Sequence, residues 1–404
     1  MTGRLIIDCG AADTRAAYLV DDEPWRFWFG PARGDERLPR PPSSGDIFAG
    51  RVRAVSKSLN GAFVDIGAGR DAFLPFLKNS KPPTEGAAII AKVRRPPIGA
   101  KGAVLTTGWS KDLTAEARAA IQTQANAIGV GALGELSDAA LQASIGCRPD
   151  QAQGAPELTV NDPAAKKILE EYWRSSVRLE GRPFEATLIG DALAEALSQI
   201  LDLPGGARIA IHETEAGALF DVDAASSAEG STGILADKTN RIAAERIMIE
   251  LLRRDIGGRV IIDFLPPSGA PARAMLAEFL KERLMAISQA RFGKIAPDGL
   301  CDFTLPRRRL SLLERASERA GGAGWLVGGR RMTLDWAAKA AIRTLENALI
   351  AQPSARRRLI VSADIGDYLR NERSQWAQRL LQRYGARFTI ETTASKEMRA
   401  HEIV

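Results

Sequence analysis

Hydrophobic and polar positions in the second half of the chain predict two strands joined by one long helix. The first strand is the alternating run 218–223, and the second is the apolar run 259–265. Between them, residues 236–254 carry apolar side chains at spacings of three and four, and Gly257-Gly258 ends this pattern. A strand, a helix and a strand in this order predict a βαβ unit, whose two strands lie parallel and close together.

The first half of the chain predicts an incomplete sheet followed by a small barrel. Short strand-like runs at 5–8, 15–20 and 25–29 are too few to close a domain, so we expect them to complete a sheet formed by later residues. A segment rich in Pro, Gly and Ser at 31–45 predicts a linker. From 46 to 107, short alternating strands separated by glycine turns predict a barrel of five strands.

Further helices and strands are predicted around the βαβ unit. Residues 109–156 are weakly patterned and rich in Ala, Gly and Gln, which predicts a helical or partly mobile insert. Asp162-Pro163 predicts the start of a helix that ends near Trp173, since Asp is a common N-cap and Pro fits the first turn. The remaining predictions are a helix over 191–201, a strand over 208–212, a hairpin turn over 214–217, a helix from Ala270, a linker over 316–333, and a C-terminal α/β module with strands at 359–362 and 387–392.

Composition narrows the class of protein without identifying it. The 404 residues suffice for two to four domains, and 45% hydrophobic with 26% charged residues is typical of a globular protein with large cores. The net charge of +6 and the pI of about 9.3 fit an ordinary surface and nucleic-acid binding equally well. No signal-peptide pattern and no run of ~20 apolar residues occurs, so a cytoplasmic protein without a membrane anchor is expected.

The cysteines and histidines argue against several kinds of site. Cys9, Cys147 and Cys301 are far apart in the sequence and form no CxxC motif, so neither a zinc site nor a disulfide framework is expected. Widely spaced cysteines also suit a reducing compartment. Only His212 and His401 are present, so a histidine-centred mechanism is not expected.

Acidic residues at the ends of the two predicted strands are the first candidate site. In a βαβ unit, Asp221 and Asp263 lie at the carboxyl ends of neighbouring strands, which is where open α/β sheets bind ligands. Asp223 lies two residues beyond Asp221 and therefore on the same face of the strand, so it is a third catalytic candidate and the three carboxylates could serve one site. Close carboxylates repel unless one is protonated or a cation lies between them, and a hard divalent cation is the simplest answer. Mg²⁺ would fit phosphodiester hydrolysis. The alternative is that these aspartates form turns or cap helices.

The predicted barrel holds the second candidate site. Phe63 and Phe73 lie on strands around a glycine turn with several basic residues near them in sequence, and aromatic side chains of small barrels stack on single-stranded bases. Either phenylalanine could instead fill the barrel core, and for Phe48 and Phe76 we favour that role. The basic run 307–309 offers Arg307 and Arg309 as phosphate contacts, with a solvated surface run as an equal alternative.

Several motifs together resemble the ribonuclease E/G family of endoribonucleases. They are collinear with that family over nearly the whole chain, and they are FDVDAAS at 220–226, TN at 239–240, RDIGG at 254–258, IIDF at 261–264, GAFVDIG at 61–67, AFLP at 72–75, KGAVLTT at 101–107, LPGG at 203–206 and RFG at 291–293.

The resemblance implies an α/β multidomain fold. It implies a split RNase H-like domain at 1–40 and 157–218, an OB-fold S1-like RNA-binding barrel at 41–108, a shortened remnant of a 5′-sensor region at 109–156, a DNase I-like catalytic domain at 219–315, a linker at 316–334 and a small α/β domain at 335–404.

The resemblance also implies the activity and the residues that perform it. Asp221 and Asp263 match the two aspartates that bind Mg²⁺, with Mn²⁺ as an alternative ion, for hydrolysis that leaves a 5′-phosphate and a 3′-hydroxyl. Phe63, Phe73 and Lys101 match positions that contact RNA beside the scissile bond. The implied substrate is single-stranded, A/U-rich RNA.

Four departures from the family pattern limit this expectation. Asp223 stands where the family has asparagine, and Pro266-Pro267 replaces a second acid. The segment 109–156 is too short for the family's 5′-monophosphate sensor, so cleavage without 5′-end sensing is expected. Gly and Ala at 321–324 replace the CxxC zinc link, so a zinc-linked oligomer is not expected, while a homodimer through other contacts stays open. A metal-dependent endoribonuclease is the main hypothesis, and a non-catalytic RNA-binding paralogue or a scaffold without an RNA role are the alternatives.

Overall fold

The chain forms two compact units. The computed structural model describes residues 3–35, 42–76, 82–97, 101–107, 115–133, 138–149, 152, 154–185, 188–214, 216–224, 232–285, 287, 289–319, 330–371, 375–393 and 401–404. The main unit comprises Met1–Leu38, Ser137–Leu305 and Ser311–Val404, and the barrel unit comprises Pro39–Leu136 and Pro306–Leu310. Both units mix strands and helices, as expected for an α/β multidomain protein.

Strands and helices are numbered here in chain order. The strands are β1 (Arg4–Cys9), β2 (Asp13–Val20), β3 (Glu23–Pro31), β4 (Ile47–Ser56), β5 (Gly61–Asp65), β6 (Ala72–Pro75), β7 (Ala88–Arg95), β8 (Val104–Thr106), β9 (Gly131–Leu133), β10 (Glu157–Val160), β11 (Val177–Leu179), β12 (Ile200–Asp202), β13 (Arg208–Glu213), β14 (Gly217–Asp223), β15 (Gly258–Asp263), β16 (Arg291–Ile295), β17 (Leu300–Leu305), β18 (Ser317–Arg319), β19 (Arg330–Met332), β20 (Arg357–Ser362), β21 (Phe388–Thr393) and β22 (His401–Ile403). The helices are α1 (Ala115–Ile128), α2 (Ala139–Gly146), α3 (Pro163–Trp173), α4 (Ile189–Leu197), α5 (Thr232–Arg253), α6 (Ala270–Met285), α7 (Leu312–Ala316), α8 (Leu334–Ala351), α9 (Ala363–Asn371) and α10 (Trp376–Tyr384).

The first three strands are completed by later ones, as predicted. Their sheet has the order β11-β10-β1-β2-β3, with β1 parallel to β10 and antiparallel to β2. One face packs on α2 and α3, and the other packs on α4, α7 and Trp336 of α8. Helix α3 begins as predicted, since the Asp162 carboxylate accepts the N–H groups of Ala164 and Ala165 and Pro163 takes the first helical position.

The second sheet contains the predicted βαβ unit. Its order is β12-β13-β14-β15-β17-β16, and β14 and β15 are parallel with α5 as the crossover between them. Apolar side chains of α5 and α6 bury one face of this sheet. The predicted domain boundary at 218/219 falls inside β14, because β12 and β13 join the same sheet.

The helix predicted over 191–201 is wrong at its end. Helix α4 ends at Leu197, and residues 200–202 form β12 instead. The reason is tertiary pairing, since β12 bonds to β13 with Leu201 buried between two exposed residues. The Ser198 hydroxyl, which accepts the Ile200 N–H at 3.2 Å, stabilises the break between helix and strand.

The barrel unit contains a closed five-strand barrel. Strands β4, β5, β6, β8 and β7 pair in that order, and β7 returns to β4. The barrel core includes Phe48 at 6% exposure, and Phe76 packs partly buried against it, so both residues have the core role predicted for them. From the segment 109–156, α1 and β9 belong to this unit, whereas α2 packs in the main unit.

The C-terminal module is more extensive than predicted. Strand β20 pairs with β21 and also with β22, a short strand that was not predicted. The two ends of the predicted linker form the pair β18–β19, and 321–324 lie outside the described residues. Within the described part of the chain, no helix is long and apolar enough to span a membrane. The three cysteines are buried and form no disulfide.

Candidate functional site

Asp221 and Asp263 are directly paired across two neighbouring parallel strands. They are register partners of β14 and β15, so their Cα atoms are separated by about one strand spacing of ~4.8 Å. Alternation along β14 buries Ala218, Phe220 and Val222 and leaves Leu219, Asp221 and Asp223 on the opposite face. Because Asp263 is exposed at the end of β15, both carboxylates lie on the open face of the sheet. Their pairing on neighbouring parallel strands is as predicted.

The chain beyond Asp263 is held by side chains of α5. The buried Asn240 donates from its amide nitrogen to the Leu265 carbonyl at 2.8 Å and accepts the Leu265 N–H at 3.0 Å. Asp237 accepts the Ser268 N–H at 3.0 Å. These bonds fix the β15–α6 connection and therefore the direction of Asp263. The sequence signal for Asn240 was an amide inside the apolar face of a helix, and its positioning role was missed.

Gly299 meets a steric requirement next to the same strand end. Its φ is +103°, and a Cβ atom there would lie 2.1 Å from the Phe264 carbonyl oxygen. A side chain at position 299 would therefore push β17 away from the residue after Asp263. The close approach keeps the sheet edge intact beside the acidic pair.

Neighbouring charges shift the pKa of Asp221. Partial burial raises the pKa of this carboxyl group, and the carboxylates of Asp223 and Asp263 raise it further, against the opposite effects of Arg208 and His212. His212 lies exposed on β13, so one of the two histidines does lie among the charges around the acidic pair. Repulsion from the two nearby carboxylates therefore adds to the larger effect of burial on the pKa of Asp221.

Asp223 is engaged by an arginine. Asp223 and Arg208 are register partners of β14 and β13, and Nε and Nη2 of Arg208 both donate to Asp223 Oδ2, at 2.9 and 2.8 Å. Among the described residues, no group of three or more His, Cys, Asp or Glu side chains is placed to hold a metal ion. The geometry therefore pairs Asp221 with Asp263 and gives Asp223 a different partner.

The donor chemistry of the pair suits a hard divalent cation. Mg²⁺ prefers oxygen ligands and often takes only one or two protein carboxylates, with water and phosphate oxygens as its other ligands. In the described part of the chain, the structure records no ion pair for Asp221 or Asp263. Two adjacent carboxylates on an open face, without an internal cation, fit such an ion.

Phe63 and Phe73 form an aromatic pair on the barrel. They are register partners of β5 and β6, with ring centroids 5.6 Å apart and planes inclined by 60°. Both rings are half-buried, while the intervening residues Ala62, Val64, Ala72 and Leu74 fill the core. Their position outside the core favours a binding role over core filling, which the sequence left open.

Glycines shape the surroundings of this aromatic pair. A Cβ atom at Gly61 would lie 2.3 Å from Cζ of Phe73, so glycine leaves the room that the ring occupies. A Cβ atom at Gly102 would lie 1.9 Å from the Asp71 carbonyl oxygen, and the Ala103 carbonyl accepts the Phe73 N–H at 2.7 Å. The exposed Lys101 therefore belongs to a segment that lies directly along β6.

Arg307 and Arg309 belong to the barrel unit. They flank Arg308, whose carbonyl accepts the Ser44 N–H at 2.8 Å, and both side chains are partly buried. The structure therefore groups them with the barrel, although in sequence they follow the strands of the acidic pair. Their partial burial disagrees with a freely solvated surface run.

Comparison with known proteins connects the chain to ribonucleases. The model of the "Ribonuclease E/G family" matches residues 155–308. Ribonuclease E of Escherichia coli (strain K12) is 23% identical over 81% of this chain and 39% of the relative's length. Ribonuclease E of Buchnera aphidicola subsp. Acyrthosiphon pisum is 25% identical over 62% of this chain and 29% of the relative. Ribonuclease E of Synechocystis sp. is 33% identical over 34% of this chain and 21% of the relative. The chain thus spans less than half the length of these relatives.

Proposed function

This chain belongs to the ribonuclease E/G family, and we propose that it is a Mg²⁺-dependent endoribonuclease acting on single-stranded, A/U-rich RNA. Cleavage would leave a 5′-phosphate and a 3′-hydroxyl, in RNA processing or decay. The observation that carries the proposal is the direct pairing of Asp221 with Asp263 on an open sheet face.

The two aspartates would hold the divalent cation. When bound there, the cation supplies activation of water and charge stabilisation for displacement at phosphorus. The chain's own contribution is to keep the two carboxylates adjacent, through the β14–β15 register and through Asn240, which fixes the residues after Asp263. The open face leaves the pair accessible to a phosphodiester of an extended strand.

Substrate binding would use the barrel. The half-buried rings of Phe63 and Phe73 support stacking on unpaired bases, worth ~1–3 kcal/mol per base. Lys101, Arg307 and Arg309 would supply positive charge for RNA phosphates. Stacking on single bases favours unpaired RNA over a duplex, whose bases are already stacked.

The chain would cleave RNA without recognising its 5′ end. The described residues of the segment 109–156 contribute one helix and one strand to the barrel unit and one helix to the main unit. This segment is too short for the family's 5′-monophosphate sensor, so substrates with 5′-hydroxyl and 5′-monophosphate ends should be cut at similar rates.

The test is cleavage of a labelled A/U-rich oligonucleotide with Mg²⁺, comparing wild type with Asp263→Asn. We expect the substitution to reduce the rate by about a hundredfold or more, since it removes one of two carboxylates that hold the cation. Asp302→Asn is the matched control, because Asp302 lies on the adjacent strand β17 and pairs with Arg259 instead. It should cleave within about threefold of wild type. Equal cleavage by wild type and Asp263→Asn would contradict the proposal.

An RNA-binding measurement beside the cleavage assay tests the non-catalytic alternative. Its supporting observation is the exposed part of the Phe63–Phe73 pair, which suits RNA binding whether or not the acidic pair is active. Phe63→Ala should weaken RNA binding about tenfold, as the loss of one stacking contact predicts. Binding that shows this loss, together with no Mg²⁺-dependent cleavage by wild type, would favour an RNA-binding paralogue over an enzyme.

A further inference from the structure

Arg208 has a role that follows from its bond to the third aspartate. We propose that Arg208 is a positioning residue that holds Asp223 out of the coordination sphere of the Asp221–Asp263 site, and so keeps that site a weak, exchangeable metal site. This inference rests on the proposed function, since it concerns how the same site binds its cation.

The geometry places Asp223 within reach of the site but directs its carboxylate elsewhere. Asp223 lies two residues after Asp221 on the same strand face, which is about 7 Å along a strand. A carboxylate at that distance could approach a cation held by Asp221. Two N–H groups of Arg208 converge on Asp223 Oδ2, at 2.9 and 2.8 Å, from the adjacent strand. That arrangement turns the third carboxylate toward β13.

The register of the sheet places Arg208 beside two aspartates. In register, Arg208 lies between Asp202 of β12 and Asp223 of β14. Both neighbours are acidic, yet the recorded ion pair is the one with Asp223. The ion pair therefore joins Arg208 to the aspartate that shares a strand face with Asp221.

A third carboxylate next to the cation would affect both metal binding and substrate binding. Each additional carboxylate around a hard cation tightens binding of the cation. It also adds negative charge where a phosphodiester must approach, which weakens substrate binding by like-charge repulsion. An Arg208–Asp223 pair is neutral as a unit, so the site keeps the charge of two carboxylates although three are nearby.

A purely structural role accounts poorly for this pair. The Arg208 and Asp223 side chains are 57% and 43% exposed. Exposed ion pairs contribute at most about 1 kcal/mol to folding stability. The effect of the pair should therefore appear in metal binding rather than in unfolding.

The test is Mn²⁺ binding to the purified chain without RNA, measured by isothermal titration calorimetry and by the Mn²⁺ electron paramagnetic resonance signal. Arg208→Gln should bind Mn²⁺ about tenfold more tightly than wild type, because the freed Asp223 becomes a third carboxylate ligand. Arg208→Gln/Asp223→Asn should return to within about threefold of wild type, since no third carboxylate remains. Arg208→Lys should also stay within about threefold, because lysine keeps a positive charge directly opposite Asp223 on the neighbouring strand.

Controls separate the inference from the proposed function. Asp202→Asn should leave the Mn²⁺ affinity unchanged, since Asp202 is the other acidic neighbour of Arg208 but lies on β12. Asp263→Asn should abolish binding, because it removes one of the two direct ligands. Loss of binding in Asp263→Asn with unchanged or weaker binding in Arg208→Gln would overturn the inference alone. No Mn²⁺ binding by wild type would overturn both the inference and the proposed metal site. The Tm of each metal-free variant should stay close to that of metal-free wild type. If Arg208→Gln bound Mn²⁺ more tightly but also changed the metal-free Tm by a large amount, the inference would be overturned.

Discussion

Two groups of carboxylates, one at the end of helix α5 and one on the open face of the second sheet, differ in what surrounds them. At the helix end, the fully buried Glu250 accepts from Arg253 at 2.8 Å and from Arg254 at 2.6 Å. On the sheet face, Asp221 and Asp263 are neighbours, and the described residues provide no ion pair for either. The same functional group is structural where arginines reach it, and is available to an external cation where they do not.

The two groups are connected by the helix itself. Helix α5 is the crossover between β14 and β15, so it links the strands that carry Asp221 and Asp263. Arg253 anchors its end to β3 by donating to the Pro24 carbonyl at 2.7 Å and pairing with Glu23 at 2.7 Å. The buried group therefore holds the element that sets the β14–β15 pairing, while the exposed pair provides the chemistry.

The largest expected effect is on the buried group. Arg253→Ala would leave Glu250 buried with fewer cations, and removing one partner of a buried ion pair costs about 3–5 kcal/mol. The urea midpoint for unfolding of the full chain, followed by tryptophan fluorescence, should fall strongly. Arg370→Ala is the control, since Arg370 and Asp367 form an exposed pair whose loss should change stability by no more than about 0.5 kcal/mol. Equal midpoints for both variants would contradict a structural role for the buried group.

The carboxylate of Glu346 extends this comparison, because it is buried with weaker ion-pair partners than Glu250. Glu346 of α8 accepts the Ala11 N–H at 2.8 Å and the Tyr384 hydroxyl at 3.2 Å. Its arginine partner, Arg383, is partly exposed, and the ion pair between them measures 3.4 Å. Desolvation by burial dominates over the Ala11 and Arg383 contributions and raises the pKa of Glu346 to about 7. Each carboxylate oxygen of Glu250 accepts a hydrogen bond from an arginine, whereas, among the described residues, only one oxygen of Glu346 has an arginine partner.

Glu346 should make stability depend on pH. Its pKa is higher in the folded chain than in the unfolded chain, so its contribution is fully present below about pH 4.3 and is lost as the pH rises through about 7. The contribution amounts to at most about 4 kcal/mol, since each pKa unit corresponds to about 1.4 kcal/mol. Glu346→Gln should lose this dependence. Urea midpoints of wild type and Glu346→Gln between pH 5 and 8 test it, and a difference between the two proteins that is constant with pH would refute the assignment.

Sequence patterns reached the acidic pair because its elements are long and regular. Alternation along 218–223 and the helical spacing after it were enough to predict parallel strands that carry Asp221 and Asp263 near their carboxyl ends. The predicted hairpin turn at 214–217 also implies the Arg208–Asp223 pairing, by counting outward along its two strands. Here the signal was present in the sequence.

Other features depend on contacts that no local pattern contains. Strands β12 and β22 have three residues each, too few for periodicity, and form because neighbouring strands offer them hydrogen bonds. The partners of Arg253 include Glu23, which lies 230 residues away in the sequence. Such pairings are set by how the sheets pack together, which depends on the whole chain rather than on the residues near Arg253.

The smallest expected effect is on the stability of the metal-free acidic pair. Like charges directly opposite each other on neighbouring strands are destabilising, so Asp221→Asn should leave stability unchanged or raise it by up to about 1 kcal/mol. That sign is opposite to the one expected for Arg253→Ala. Added Mg²⁺ should raise the Tm of wild type, because a ligand that binds only the folded chain stabilises it, and should not raise the Tm of Asp221→Asn. Thermal unfolding with and without Mg²⁺ measures both effects. A large loss of stability in metal-free Asp221→Asn would show that this carboxylate is held by internal partners, as Glu250 is, and would remove the distinction between the two groups.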